Sequence, residues 1–396
     1  TSATRTLSWQ VNDGASTNNL SNTGTSNINL TALNDAPVVS GGVVNNLNED
    51  TSYILTNALK YQFSDVDGHT QAGVKFTELP LATVGVLKVD GVEVQIDTLV
   101  TIADINANKV ILYPAANYVG PVSFKFKAVD TGTDNNESSE VTATFNYVNV
   151  NDAPVIGAGT LTLPTVDEDV AAPANGTTTA GMAVSDMFSV ISDADASATK
   201  GIAITSINGN GSLFFSTDNG TTWQSAGVVS ISNALLLDAN SRVFFKPNAN
   251  WNGTVDNAFL YLAWDQTNSP AATVGTKVNV ATTGGSAPYS FQVGEVGISV
   301  TAVNDAPTVS GGTVNDLKKN TGAILTSALT FNYADVDSHT QEGVIFTELP
   351  DAAKATLLLD GVAITTTGSL ITIADINANK VVLMPATDFD GAVSLK

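Results

Sequence analysis

Acidic and amide side chains recur in this sequence at fixed positions suited to binding a hard metal cation. The tetrapeptide Asn-Asp-Ala-Pro occurs three times, and an Asp-x-Asp pair follows each copy about 30 to 40 residues later. Two aspartates separated by one residue can point to the same side of an extended segment. Oxygen ligands without nitrogen or sulfur are those that Ca²⁺ prefers, whereas Mg²⁺ demands a tighter octahedron. The repeated residues are Asn34, Asp35, Asp65 and Asp67; Asn151, Asp152, Asp193 and Asp195; and Asn304, Asp305, Asp335 and Asp337.

Strand direction in a β-sandwich predicts that further carboxylates join these positions. If each repeat holds seven antiparallel strands, the loop after the first strand lies beside the next linker. The second strand, about Tyr53–Phe63, and the sixth strand then end at the opposite, upper end. The added members are Asp130 at the first linker; Glu49, Asp50 and Asp265 at the second; and Asp167, Glu168 and Asp169 at the third. Unneutralised carboxylates at one point repel strongly, so Ca²⁺ is predicted there; a plain turn that leaves a domain is the alternative.

Internal repetition defines the units of the chain. Two pairs of similar segments show it: Asp65–Gln71 with Asp335–Gln341, and Ile102–Lys109 with Ile373–Lys380. A Pro-x-x-x-aromatic-x-Gly signature links all units, at 114–120, 247–253 and 385–391. We predict the C-terminal strands of an upstream module at 1–37, a first module at 38–154, a middle module with insertions at 155–307, and a truncated third module at 308–396.

Short alternating apolar runs separated by turn residues predict strands throughout the chain. Val86–Val94 is typical of a hairpin with an Asp90-Gly91 turn, and Leu213–Trp223 of another with an Asn219-Gly220 turn. No stretch sustains an amphipathic helix, and Ala103–Asn108 allows one helical turn at most. The predicted fold is all-β, with tandem immunoglobulin-like β-sandwich modules in a linear rod.

Composition excludes several classes of function. The chain of 396 residues has 38 Asp and Glu against 16 Lys and Arg, a formal net charge of −22, which disfavours nucleic acid and anionic membranes as partners. The absence of cysteine excludes disulfides and thiol chemistry. The two histidines, His69 and His339, occupy equivalent turns and are expected to pack there. No catalytic constellation stands outside the repeat, so no enzyme is expected. No run is long enough to span a membrane, and both ends are expected to be cut from a longer protein.

The pattern resembles the cadherin-like tandem repeats of large bacterial surface adhesins, themselves similar to cadherins. The linkers, the Asp-x-Asp pairs and the Pro-x-x-x-aromatic-x-Gly signature carry this resemblance over essentially the whole chain. It implies immunoglobulin/cadherin-like modules in an extracellular extender on a bacterial cell surface, with calcium between modules. The residues that match the cadherin ligands are Asn151, Asp152, Asp193, Asp195, Asp265 and Glu49. A Leu-Asp-Arg-Glu-type motif has no clear counterpart, so the number of ions per junction stays open.

Two further functions use partners other than the neighbouring modules. Copies of the chain would associate laterally into a filament or sheath, or the middle module would bind a surface glycan or a protein. Trp223 follows a hairpin turn and Trp264 is out of phase with the inward row of its strand, so both are candidates to stack on sugars. Burial under the middle module's insertions is the alternative for both rings. Trp9 and Trp251 align with core aromatic positions and are expected to be buried.

Overall fold

The computed structural model describes residues 3–196, 198–268, 270–315, 317–330 and 332–396, and the chain is all-β across them. Separate hydrophobic cores lie in successive segments, the first within 39–147, the second within 156–300 and the third within 323–395. A separate core in each segment is what tandem sandwiches require. The prediction of tandem all-β sandwich modules is therefore confirmed. Among the described residues, no helix is long and apolar enough to cross a bilayer.

The first hairpin of the described chain contributes no residue to the hydrophobic cores of the described modules. Strands β1 (Ala3–Trp9) and β2 (Gly24–Leu30) pair antiparallel and form a sheet of their own. The ring of Trp9 is 47% exposed. The expectation that Trp9 is buried is wrong for this structure, because one two-stranded sheet has no opposing layer to bury an apolar face.

The first module is a two-sheet sandwich. Its larger sheet has the order β3-β11-β10-β5-β8 and its smaller sheet the order β4-β9-β6-β7. Phe76 and Phe124 from the larger sheet and Leu112 from the smaller one are almost fully buried in the shared core. The elements are β3 (Val43–Asn48), β4 (Tyr53–Ile54), β5 (Gln71–Glu78), β6 (Gly85–Val89), β7 (Val92–Glu93), β8 (Leu99–Thr101), α1 (Ile102–Asn106), β9 (Val110–Pro114), β10 (Gly120–Asp130) and β11 (Val141–Val148).

The predicted second strand, Tyr53–Phe63, is mostly not a strand. Only Tyr53–Ile54 pair as β4, and a 3₁₀ helix follows at Ala58–Lys60. The buried residues of this stretch are Leu55, Ala58 and Leu59. Their spacing of three and four residues is the helical period, so burial of one apolar face favours a helical turn here.

The middle module has the same two layers with additional elements. The larger sheet has the order β13-β24-β22-β17-β20-β23, and β14 also pairs with β24. The smaller sheet has the order β15-β21-β18-β19. Strands β12 and β16 form a separate pair. A 3₁₀ helix occupies Val184–Val190. The strands are β12 (Val155–Ile156), β13 (Leu161–Thr162), β14 (Val166–Asp167), β15 (Met182–Ala183), β16 (Ile191–Ser192), β17 (Gly201–Ile207), β18 (Gly211–Ser216), β19 (Gln224–Ser225), β20 (Ala234–Asp238), β21 (Arg242–Pro247), β22 (Gly253–Trp264), β23 (Lys277–Val278) and β24 (Tyr289–Thr301).

The third module repeats the first as far as the described chain extends. Its sheets have the orders β25-β30-β27-β28 and β26-β29. The core includes Leu357, Ile376 and Leu383. The elements are β25 (Ala323–Ile324), α2 (Thr326–Leu329), β26 (Gly343–Ile345), β27 (Ala355–Leu359), β28 (Val362–Ala363), β29 (Leu370–Thr372), α3 (Ile373–Asn377) and β30 (Val381–Pro385).

Candidate metal centres at the module junctions

Parallel pairing of the first and last strands places an acidic loop beside the linker that leaves the first module. Strand β3 pairs with β11 in the register Leu47 to Tyr147 and Asn48 to Val148. Both strands therefore end at the same edge of the sheet. The next residue, Glu49, is 5% exposed, and its Oε1 accepts a hydrogen bond of 2.7 Å from the backbone N–H of Val150. A carboxylate of the first module is thus held against the linker.

The linker is joined to the middle module by further hydrogen bonds to carboxylates. The backbone N–H of Asp152 donates to Asp195 Oδ2 at 2.9 Å. The side-chain amide of Asn151 donates to Asp265 Oδ2 at 2.8 Å. One carboxylate oxygen from each of Glu49, Asp152 and Asp195 lies within 4.8 Å of the others. Carboxylates from two modules and their linker therefore meet at one point.

The electrostatics of this junction show a deficit of positive charge. Burial raises the pKa of Asp152, and the charges of Asp195 and Asp50 raise it further. Burial is also the largest cause that raises the pKa of Asp193, against a hydrogen bond from the backbone of Asp195 that lowers it. The Oδ2 atom of Asp193 is buried and has no hydrogen-bond partner in the described structure. Both carboxylates therefore carry an unfavourable negative charge that a bound cation would stabilise.

The junction at Asp305 repeats this geometry. Glu168 is 2% exposed, and its Oε1 accepts from the backbone N–H of Val303 at 2.7 Å. The backbone N–H of Asp305 donates to Asp337 Oδ2 at 2.6 Å. Burial raises the pKa of Asp305, with further contributions from Asp169, Asp337, Glu168 and Asp335. The same arrangement of loop glutamate, linker aspartate and Asp-x-Asp therefore occurs at both junctions.

Asp167 is placed differently from the other predicted ligands of this junction. Its Oδ1 accepts a hydrogen bond from the hydroxyl of Thr301, its partner in the β14–β24 ladder. Asp167 is thus held at the edge of the sheet. Asn304 lies in the linker, and its side-chain amide donates to the backbone carbonyl of Asp305 at 3.0 Å.

The first linker shows the upper half of the same arrangement. The backbone N–H of Asp35 donates to Asp67 Oδ2 at 2.8 Å, and the amide of Asn34 donates to Asp130 Oδ2 at 3.2 Å. Asp65 Oδ1 accepts from the backbone N–H of Asp67 at 2.9 Å. The Oδ1 atom of Asn34 and the Oδ2 atom of Asp65 are buried without hydrogen-bond partners. At all three linkers, the second aspartate of the Asp-x-Asp pair thus accepts a hydrogen bond from the backbone N–H of the linker aspartate.

Two histidines that the sequence assigned to turn packing lie within these groups. One donor atom from each of Asp65, His69 and Asp130 lies within 4.8 Å of the others, and the same holds for Asp335, Asp337 and His339. The signal for them in the sequence was their shared position four residues after the first aspartate of an Asp-x-Asp pair. That spacing identified equivalent turns but not the direction in which the imidazole points.

The two candidate sugar-stacking tryptophans are covered by the insertions of the middle module. Trp264 is 1% exposed, so the hypothesis that it stacks on a sugar at the surface is wrong. It packs with Val280 and Tyr289 in a second cluster on the outer face of the larger sheet. Trp223 is partly buried, and its Nε1 donates to the backbone carbonyl of Thr177 at 3.2 Å. Trp251 is partly buried against the main core.

Comparison with known proteins gives structural likeness only. No protein-family model matches the chain, and no curated protein matches it. Among solved structures, PcdhgB3 EC1-4 is 13% identical, with 99% of this chain and 75% of that chain covered at a TM-score of 0.37. Mouse protocadherin-24 EC1-3 is 11% identical, with 75% and 80% covered at 0.37. Mouse clustered PcdhgC3 EC1-3 is 15% identical, with 76% and 77% covered at 0.33. Likeness at this level does not assign the chain to a family.

Proposed function

We propose that this chain is an extender segment of a large repetitive protein on a bacterial cell surface, and that Ca²⁺ at the junctions holds its modules in a rod. The observation that carries the proposal is the junction at Asp152. Glu49 of the first module, Asp152 of the linker and Asp195 of the middle module present oxygen atoms within 4.8 Å of one another. The partner of each module is then the next module of the same chain.

The donor set favours a hard cation. The donor groups gathered at this junction are carboxylates, without sulfur or imidazole, which matches the oxygen coordination that Ca²⁺ prefers. Two ionised carboxylates at this separation repel by roughly 3 kcal/mol at an effective dielectric constant of 20. An ion that contacts both modules removes this repulsion and restricts bending at the linker. Stiffening therefore requires ligands from both sides of the joint, and Glu49 and Asp195 lie on its two sides.

Thermal unfolding of the full chain in Ca²⁺ and in chelator tests the proposal. Binding to the folded state alone stabilises by about 2.7 kcal/mol at a hundredfold excess of ligand over its Kd. We expect chelator to lower the melting temperature and to shorten the particle in small-angle X-ray scattering. Identical melting and identical scattering in the two conditions would refute calcium stiffening.

A double variant locates the effect at the junction. Asp193→Asn with Asp195→Asn removes two carboxylates that lie outside the main core, so the modules should fold while the calcium response falls. Asp186→Asn with Asp256→Asn is the matched control, because both are exposed aspartates of the same module outside the proposed site. The control should keep the calcium response of the parent chain. An equal loss in both variants would show a general effect of charge.

A further inference from the structure

The three Asp-x-Asp sites differ at one position that changes their donor chemistry. The residue four places after the first aspartate is His69 in the first module and His339 in the third, whereas the middle module has Ser197 in its sequence. An imidazole nitrogen is a softer donor than a carboxylate oxygen. The sites in the first and third modules therefore have a nitrogen donor that the middle sequence does not supply.

The backbone turns each histidine toward its aspartate. The N–H of His69 donates to Asp65 Oδ1 at 3.0 Å, and the N–H of His339 donates to Asp335 Oδ1 at 2.9 Å. The Nδ1 atom of His69 lies 3.8 Å from Asp65 Oδ1, and that of His339 lies 3.5 Å from Asp335 Oδ1. The same local geometry thus arises twice in independent modules.

Unpaired buried atoms in the first module show that its group lacks a partner which a cation would supply; the third-module group repeats its backbone geometry, with the side chain of His339 62% exposed. The side chain of Asp65 is 0% exposed, and that of Asp335 is 3% exposed. Asp65 Oδ2 and His69 Nδ1 are buried and make no hydrogen bond in the described structure. Buried polar atoms are normally paired. A metal ion can accept electron pairs from a carboxylate oxygen and a neutral imidazole nitrogen together.

We propose that the sites at Asp65 and Asp335 are mixed nitrogen and oxygen sites that bind a borderline transition-metal dication, for which Zn²⁺ and Co²⁺ are probes. This inference rests on the proposed function, since the same carboxylates are taken as cation ligands there. The donor atoms lie within 4.8 Å of one another, whereas tetrahedral ligands at Zn–N and Zn–O bond lengths of about 2.0–2.1 Å lie roughly 3.4 Å apart, so the side chains must draw together on binding. His69 with Asp65 and Asp130, and His339 with Asp335 and Asp337, supply the donors.

Titration of the full chain with Co²⁺ tests the inference, because imidazole ligation changes the visible absorption of that ion. We expect two strong Co²⁺ sites that Zn²⁺ displaces. The double variant His69→Ala with His339→Ala should lose the absorption band and bind Zn²⁺ at least about tenfold more weakly at each site, since loss of even an outer-sphere partner costs 10–100-fold. Asp186→Asn, an exposed aspartate outside the proposed sites, is the control and should keep both Co²⁺ sites.

The outcomes separate this inference from the calcium proposal. If the double-histidine variant binds Zn²⁺ as tightly as the parent, or the parent gives no Co²⁺ band, the histidines are not ligands and the inference is wrong. The calcium-dependent melting of the parent is then unaffected, and the proposed function stands. If the parent shows neither a calcium shift nor Co²⁺ binding, both fail. Calcium-dependent melting of the double variant, at the parent's magnitude, verifies that it is folded and that its oxygen ligands are intact.

Discussion

The loop around Asp50 in the first module and the equivalent loop around Asn320 in the third have the same backbone conformation but carry opposite charge. Asp50 and Asn320 have φ values of 57° and 58°. Asp50 Oδ1 accepts from the backbone N–H of Asn117 at 2.8 Å, and Asn320 Oδ1 accepts from that of Asp388 at 2.9 Å. The residue before them differs, because Glu49 is buried against the linker while the side chain of Lys319 is 53% exposed, with Nζ 3.6 Å from Asp390 Oδ2.

The comparison separates what shapes the loop from what binds a cation. A left-handed Asp or Asn, capped onto the Pro-x-x-x-aromatic-x-Gly loop, sets the backbone in both modules. The neighbouring residue then decides the chemistry, since a glutamate offers oxygen atoms and a protonated lysine offers none. The middle module follows the first, with Glu168 accepting from the linker. We therefore expect a joint built on the Lys319 loop to depend less on calcium than the joint at Asp152.

Exchanging the charge in the first module should have the largest effect. Glu49→Lys leaves the N–H of Val150 without its carboxylate acceptor and places an ammonium near Asp152. Loss of a charged hydrogen bond at a buried site costs about 2–3 kcal/mol, and calcium affinity at this junction should fall. Calorimetry of the full chain in Ca²⁺ and in chelator measures both effects.

The matched variant for this exchange is Glu49→Gln. It keeps an oxygen acceptor for Val150 but removes one negative charge, so the loss in chelator should be small while calcium binding still weakens. A Glu49→Lys chain that retains the full calcium shift would show that Glu49 is not a ligand.

Removing the loop cap should cost the same in both modules. Asp50→Ala and Asn320→Ala each delete the hydrogen bond that the side chain accepts from a backbone N–H, and each leave an alanine at positive φ. Asn320→Ala also deletes an exposed hydrogen bond of 3.2 Å from Asn320 Nδ2 to Asp388 Oδ1. We expect about 1–2 kcal/mol for each in chelator, measured by thermal unfolding. Asp50→Asn should be near neutral in chelator, because the third module already uses Asn there. Unequal costs for the two alanine variants would contradict the shared role of the cap.

The turns and the strand order could be predicted from the sequence, whereas burial and contacts that depend on tertiary packing could not. Asp90 and Gly91 have φ values of 50° and 82°, as their predicted hairpin turn requires. Strand order correctly predicted that Glu49 meets the next linker. The burial of Trp264 depends on an insertion folding over the outer face of its own sheet, which alternation along one strand does not encode. The position of His69 depends on a turn hydrogen bond that pattern alone does not show.

The smallest expected effect lies away from the junctions and gives the comparison a baseline. Hydrogen bonds from Lys75 and then Lys127 hold the pKa of Glu137 below its ordinary value of 4.5. A lowered folded-state pKa contributes stability above the ordinary value, and this contribution is lost as the pH falls through the folded pKa. The Glu137 side chain is 34% exposed, so solvent screening limits the contribution to a few tenths of a kcal/mol. Melting of the parent and of Glu137→Gln in chelator between about pH 3 and 6 should therefore differ slightly above the ordinary value and converge at the acid end. Because this carboxylate is bound by lysines and not by the proposed ion, the same difference should appear in calcium; a difference that grew with calcium would mean that the first module's sheet and its junction are coupled.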